Sequence, residues 1–451
     1  MKKTIYISIE TKVRELDGRL LLSTFLVNDN FNVLMGSRSA IKRELLASSN
    51  GIYIPKSVSK DEIDFYKSIK NRGHKIILLH AEGTALFKNI EEELKSMFSS
   101  SCSRFLDKIF VSGSEIKLNM KKFLPFIDND KVFVVGDPRF DLLKPKYRNY
   151  WKNDIELLHK SYSKYILINT NFDVGNAKVG NHNLKNFFKT NPDHTEYIKK
   201  VYLSKIDVIR EVMNSYIEAI HILSDRFKNT DFIIRPHPSE SDVPYKKAFK
   251  NKNNVHVIYE GNAVKWILAS KGVIHYDCTT GIESVLADKN TISYCPKSDN
   301  QEITWLPVLV SQKITEIKDL IEKINDIISN EPNKKLSSTV SETLEKYLYN
   351  YSNESSMLIA KEIHNLELSK ENNKQSIKEL FDLKKARFKS FLKFALLKKG
   401  IISDNTISNK KFSFLTHKEM YINLQKLCSK NKNLKVKIVG GNLALIHKKT
   451  E

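Results

Sequence analysis

The sequence predicts an α/β protein with two Rossmann-like domains facing each other across a cleft, followed by a basic helical C-terminal extension. Three observations carry this. Short apolar runs rich in Ile, Val and Leu recur from the N-terminus to about residue 296. The stretches between them have helical periodicity, the pattern of parallel strands joined by crossover helices. A chain of 451 residues, 41% hydrophobic and 10% aromatic, has room for two or three domains with cores of their own.

The first series of strands is 4–9 (TIYISI), 32–36 (NVLMG), 51–55 (GIYIP), 75–80 (KIILLH), 108–113 (KIFVSG) and 131–136 (KVFVVG). Helices at 16–29, 38–48, 60–71 and 114–124 fill the gaps, which makes residues 1–150 one doubly wound domain. The second series is 165–170 (YILINT), 231–236 (DFIIRP), 255–259 (VHVIY), 272–277 (GVIHYD) and 291–296 (TISYCP), within a domain spanning 151–365. A long helix is expected over 195–228, where Ile206, Ile209, Met213, Ile217 and Ile220 recur at core-facing spacing. Segment 173–194, rich in Asn, Gly, Lys and His, reads as a mobile loop at the mouth of that domain. Helices around 313–330 and 336–365 close it.

Residues 366–451 differ in character. A polar linker at 366–376 leads into LKKARFKSFLKFALLKK (383–399), which carries seven Lys or Arg and no acid, interleaved with Phe and Leu. Such a helix either lies on an anionic bilayer or packs on the protein with a solvated basic face. The remainder, about 412–448, reads as a helix and a strand–turn–strand, a small capping element.

The net charge of +22 favours anionic partners: nucleotides, nucleic acid or an anionic membrane surface. Lysine is spread over the whole chain and no nucleic-acid-binding module is recognisable, so nucleic acid is not an expected partner. Four scattered cysteines without a CxxC pair fit a reducing compartment. The basic start is not followed by a signal-peptide core, because Glu10, Lys12 and Arg14 interrupt it. No run approaches the roughly 18 apolar residues that span a bilayer. The expected location is cytoplasmic, at most peripheral on the inner face of the cell membrane. Neither GxGxxG nor GxxxxGK[ST] occurs, which argues against a dinucleotide oxidoreductase and a P-loop ATPase.

In open parallel sheets ligands bind beyond the carboxyl ends of the strands, so the loops there are the candidate chemistry. In the first domain they present Arg14, Asp17 and Arg19 after the first strand, Glu82 before a glycine after the fourth, and Arg139 in GDPRFD after the sixth. In the second domain Asn171 follows the first strand. Arg235 and His237 follow in RPHPSE, where each precedes a proline and is held extended. The alternative for RPHPSE is a plain surface turn. In YDCTTGIES the hydroxyls of Thr279 and Thr280, with Gly281 at a helix start, suit a phosphate, and Glu283 suits a ribose diol. The same residues also suit capping and a favourable acid in a first turn. Trp266 and Tyr259 are candidates for stacking a base, or core aromatics.

GDPRFD, RPHPSE and HYDCTTGIESVLADKNTISY, in this order, resemble the GT-B glycosyltransferases of bacterial surface polysaccharides. Residues 1–330 resemble the family of surface carbohydrate biosynthesis proteins. The PRxD and HP…TTG elements are also similar to teichoic-acid polyol-phosphate transferases and capsular polysaccharide synthases. AEG followed by HP and TT resembles bacterial sialyl- and polysialyltransferases, which use CMP-activated sugars. One departure is Ala81, where that pattern has a second acid.

The resemblance implies a glycosyltransferase that moves a sugar from a nucleotide sugar to a glycan or lipid-linked acceptor. The donor would be CMP-linked, carrying an ulosonic acid such as a nonulosonate or Kdo. Glu82 or Asp17 would deprotonate the acceptor; His237, Arg235, Thr279, Thr280 and Gly281 would hold the leaving phosphate. Asn171 and Glu283 would complete the donor site, and Arg14, Arg19 and Arg139 would line the cleft, Arg139 alternatively pairing with Asp141. Neither a metal nor a cofactor is required. The alternatives are a CDP-polyol phosphotransferase of the teichoic-acid type, and a non-catalytic basic membrane- or nucleic-acid-binding protein.

Overall fold

Strands buried on both faces of a parallel sheet read as continuous apolar runs, and the chain folds accordingly. The computed structural model describes residues 2–80, 89–162, 165–191, 194–296, 305–330, 336–348, 354–368, 377–399, 401, 412, 414–428 and 433–449. They divide into two units. The first takes the described residues within Met1–Ala81, Phe98–Leu142 and Leu348–Glu451; the second takes those within Glu82–Met97 and Leu143–Tyr347.

In the first unit β1 (Lys3–Ile9), β2 (Phe31–Ser37), β3 (Ile52–Ile54), β4 (Lys75–Leu79), β5 (Lys108–Val111) and β6 (Val132–Val134) form a parallel array in the order β2-β1-β3-β4-β5-β6. Ile5, Ile7, Val33, Met35, Ile52 and Ile77 are fully enclosed at its centre. Helix Lys12–Leu26 begins four residues earlier than its apolar spacing suggests. The cause is Glu15, whose carboxylate accepts from the backbone N–H of Glu10 (3.3 Å) and Thr11 (2.9 Å) and so caps the helix from inside.

The second unit has six strands: β7 (Tyr165–Asn169), β8 (Asp231–Arg235), β9 (Val255–Val257), β10 (Gly272–His275), β11 (Asn290–Tyr294) and β12 (Gln312–Ile314). Their order is β12-β11-β10-β7-β8-β9, all parallel. Helix Glu196–Arg226 lays Ile209, Val212, Tyr216, Ile220 and Leu223 on this sheet, with Met213 and Ile217 at the margin of the same core.

Three local expectations change. Segment 173–194 contains helix Asn181–Thr190, and its first part is pinned by an antiparallel bridge between Ala177 and Glu240 and by Lys178 N–H on Ser239 O (2.9 Å). The helix expected from 313 starts at Ile317, because 312–314 forms β12 on the sheet edge, where Gln312 and Lys313 are exposed and leave no apolar signal. Within 336–365 there are two helices, Ser338–Tyr347 and Ser355–His364.

The C-terminal region is not a separate cap. Its strands β13 (Leu434–Ile438) and β14 (Leu443–Lys448) pair with each other, and β14 pairs antiparallel with β2, extending the first sheet to eight strands. Helix Ile377–Lys398 and helix His417–Leu427 belong to the same unit. Among the described residues no helix is long and apolar enough to cross a membrane.

Candidate functional site

In the second unit the chain runs β7, β8, β9 outward on one side and then returns to start β10 on the other side of β7. The loops after β7 and β10 therefore diverge, and the crevice between them is the topological switch point at which such sheets bind ligands. Asn171 and Asp277 stand on these two loops, and Asn171 Nδ2 donates to Asp277 Oδ1 at 3.0 Å. Asp277 is buried, so this bond fixes the separation of the loops at the switch point.

His237 is set by Glu240, the last residue of RPHPSE. The Glu240 carboxylate is 2% exposed and accepts from Thr170 Oγ1 (2.7 Å), the Phe172 N–H (3.2 Å), the His237 N–H (3.3 Å) and the Tyr245 hydroxyl. One buried acid thereby ties the loop after β7 to the loop after β8. Burial pushes its carboxyl above the usual range, and the donors around it oppose that. The imidazole of His237 stays partly exposed, with Nδ1 3.5 Å from Asp173 Oδ2. Its Nδ1 also accepts from the Ser239 N–H at 3.4 Å.

Arg235 has a different use from the one expected. Its guanidinium is buried, donating to Glu260 O (2.7 Å) and Gly261 O (2.9 Å), with its carbon 5.2 Å from the Trp266 ring centroid. Burial lowers its pKa to about 10, so it remains a cation. The planar fork matches two successive carbonyls, and Arg235 anchors the loop after β9. Trp266 is buried as well, its Nε1 donating to Glu260 O (2.8 Å), whereas Tyr259 is exposed.

After β10 the chain enters helix Thr280–Leu286. Thr279 has helical dihedrals and its side chain makes no capping bond. The Thr280 hydroxyl is shielded from solvent and has no hydrogen-bond partner among the described residues. Gly281 is required by packing, since a Cβ there would overlap the imidazole of His275 beneath it. Glu283 is buried within this helix, not displayed at its start.

In the first unit the switch point lies between β1 and β3. There Lys56 Nζ stands 3.5 Å from Glu10 Oε2 and 3.9 Å from Glu15 Oε1. Asp17 is half-buried in the second turn of helix Lys12–Leu26, beyond the strand-end loop where the sequence suggests it. Arg14 is exposed; Arg19 is buried, where desolvation lowers its pKa against the favourable charges of Glu15 and Asp137. Arg139 pairs with Asp137, through its N–H (2.9 Å) and its guanidinium (3.4 Å). Glu82 lies outside the described residues.

The structure thus gathers Asn171, His237, Thr279 and Thr280 on strand-end loops of one sheet edge and withdraws Arg235 and Glu283 into packing. Sequence reasoning missed Glu240, Asp277, Thr170 and Asp173. The available signal was an acid within a few residues of a strand end, in RPHPSE and in HYD.

No protein-family model and no curated protein matches this chain. Solved structures match by fold. A variant of the wall teichoic acid polymerase TagF, soaked with CDPG, aligns with a TM-score of 0.52 at 10% identity, covering 80% of this chain and 88% of that one. A second TagF variant aligns with a TM-score of 0.50 at the same identity and coverage. The UDP-GlcNAc 2-epimerase of Methanocaldococcus jannaschii, in complex with UDP-GlcNAc and UDP, aligns with a TM-score of 0.48 at 11% identity over 81% of this chain and 99% of that one. At such identities the likeness is one of fold, and the fold is GT-B-like: two α/β units built on parallel sheets, with a helical C-terminal region.

Proposed function

We propose that this chain is a glycosyltransferase of surface polysaccharide synthesis that takes its sugar from a cytidine nucleotide, in the first place a CMP-activated ulosonic acid. The observation that carries the reading is the tethered switch point of the second unit: Asn171 bonded to Asp277, and Glu240 holding the His237 loop. A ligand seated there would meet an imidazole and hydroxyls on a stiff frame. Such groups suit charge that grows on a departing phosphate.

In this reading an acceptor hydroxyl attacks the anomeric carbon of the donor. A new C–O bond forms, the bond from that carbon to the phosphate oxygen breaks, and CMP leaves with the electron pair. The acceptor proton goes to a carboxylate, Glu82 or Asp17. His237 and the Thr280 hydroxyl donate to the leaving phosphate. No metal is needed, because imidazole and hydroxyls supply the stabilisation. The acceptor is a glycan or a lipid-linked sugar.

The fold likeness to TagF supports a second reading, transfer of a polyol phosphate from a CDP-linked donor. There the acceptor attacks the distal phosphorus and the P–O–P bond breaks. CMP is again the leaving group, so one CMP-binding frame serves both chemistries, and the residues on it are the same.

The test is thermal unfolding in the presence of CMP, CDP, UDP, GDP and ADP. A ligand at about 100 times its dissociation constant stabilises by about 2.7 kcal/mol. CMP and CDP are expected to raise the transition, and His237→Ala to remove the rise and cut CMP release by about 10²-fold. Stabilisation by UDP or GDP alone would overturn the cytidine assignment. Release of CMP from a CMP-ulosonate but not from a CDP-polyol separates the first reading from the second.

A further inference from the structure

We infer that helix Ile377–Lys398 docks the protein on an anionic lipid surface through the face it turns away from the first unit. The helix has two unlike faces. Leu383, Ala386, Arg387, Ser390, Phe394 and Leu397 recur at helical spacing and are half-buried. On that side Arg387 clasps the buried carboxylate of Glu44 through Nε (2.8 Å) and Nη2 (2.6 Å), and the Phe394 ring centroid lies 4.8 Å from that of Phe414. Packing therefore accounts for one face.

The opposite face is apolar and stands in water. Phe381 is 67% exposed, Phe388 65%, Phe391 55% and Leu392 47%. At 100° per residue these four fall within about a quarter of the helix circumference. Lys384 lies inside that sector, Lys385 about 20° beyond its edge, and Lys389 flanks it further round, all exposed. An aromatic stripe interleaved with lysines is poorly matched to water and to an ordinary protein groove, which would have to neutralise each cation. It matches the headgroup layer, where rings enter the acyl boundary while lysine stems reach outward to lipid phosphates. Since the helix is not apolar enough to cross a bilayer, it would lie in the surface plane. The inference uses residues of the first unit only and is independent of the donor assignment.

The experiment is flotation of the full chain with vesicles of mixed phosphatidylglycerol and phosphatidylcholine, and with vesicles of phosphatidylcholine alone. Binding to the anionic vesicles only, released near 1 M salt where screening shortens to about 3 Å, is expected. The triple variant Lys384→Glu, Lys385→Glu, Lys389→Glu should weaken binding by at least about 10²-fold, at roughly fivefold per lysine lost. Phe388→Ser with Phe391→Ser should also release the protein while leaving its unfolding temperature in place. Equal binding to neutral vesicles, binding unaffected by salt, or no binding to either would overturn the inference. Salt release of the unmodified chain decides the question if a variant fails to fold. Concentration-dependent self-association without vesicle binding would assign the face to a second copy of the chain instead.

Discussion

His275 shows how far a side chain's chemistry depends on its surroundings. Its Nε2 lies 2.9 Å from Ser311 Oγ, and that hydroxyl donates to Pro307 O at 2.7 Å. Ser311 therefore accepts from the ring, Nε2 carries the proton, and the imidazole is neutral. Burial alone pushes its pKa down to about 3. The unfolded chain takes up a proton near pH 6.5 that the folded one refuses, so between pH 6.5 and 3 His275 makes the protein lose stability as pH falls, by about 1.4 kcal/mol per unit. His275→Asn removes that titration. The variant should be less stable than the parent at pH 7, and its deficit should shrink as the pH is lowered through this window in denaturant titrations. A deficit constant with pH would mean that the ring is hydrated. Sequence reading found the neighbouring Thr279, Thr280 and Gly281 and passed over His275, because a strand-end histidine looks the same whether it points to ligand or to core. Arg235 and His237 make the same point two residues apart: one guanidinium is absorbed by the carbonyls of Glu260 and Gly261, while the imidazole stays partly open. Which of them meets a ligand is set by loop geometry that neither composition nor spacing records.

At the scale of elements, strands with an apolar signal were readable and polar edges were not. β1 to β11 appear at their expected places, since buried parallel strands write themselves as Ile, Val and Leu runs. β12 escapes because its first two residues are exposed. The GDPRFD element illustrates a second limit, a motif whose acid serves a distant element. Asp141 is fully buried and accepts from Ser355 N–H (3.0 Å), Ser356 N–H (2.8 Å) and Ser356 Oγ (2.7 Å), so it caps helix Ser355–His364 from more than two hundred residues away. A cap contributed by another segment leaves no mark in the helix's own sequence, where Glu354 occupies the N-cap position and its side chain does not cap the helix. Asp141→Ala strands two buried N–H groups and should destabilise the protein by about 3 kcal/mol in denaturant unfolding. Asp64→Ala, whose carboxylate is almost fully exposed, should change it by less than about 0.5 kcal/mol. Similar losses in the two variants would show that the cap carries no weight in solution.

For the molecule as a whole, the C-terminal region is the place where sequence and structure assign different roles to the same residues. As a sequence it reads as a linker, a basic helix and a small cap, and so as removable. In the structure its last strand closes the edge of the first sheet: Leu443, Ala444, Leu445 and Ile446 pair with Gly36, Met35, Leu34 and Val33 of β2. Gly36 fits this role, because a Cβ there would overlap the carbonyl of Asn442 in the hairpin. The new outer strand, β13, alternates buried Leu434 and Val436 with exposed Lys435 and Lys437, a charged edge that resists pairing with another chain. Lys12 fastens the region further, with Nζ 3.0 Å from Phe414 O and 2.8 Å from Glu419 Oε2. Cutting the chain before residue 377 would expose β2, whose run FNVLMGS is the unprotected apolar edge that invites aggregation. The truncated chain should therefore aggregate or unfold at lower temperature, and its partition between membrane and solution would report this damage and not lipid affinity. Substitutions at Lys384, Lys385, Lys389, Phe388 and Phe391 leave the sheet intact and test the lipid surface by itself. A truncated chain that stays monomeric in sedimentation, with the parent's unfolding transition, would show that β2 needs no cover, and the hairpin would then be an accessory after all.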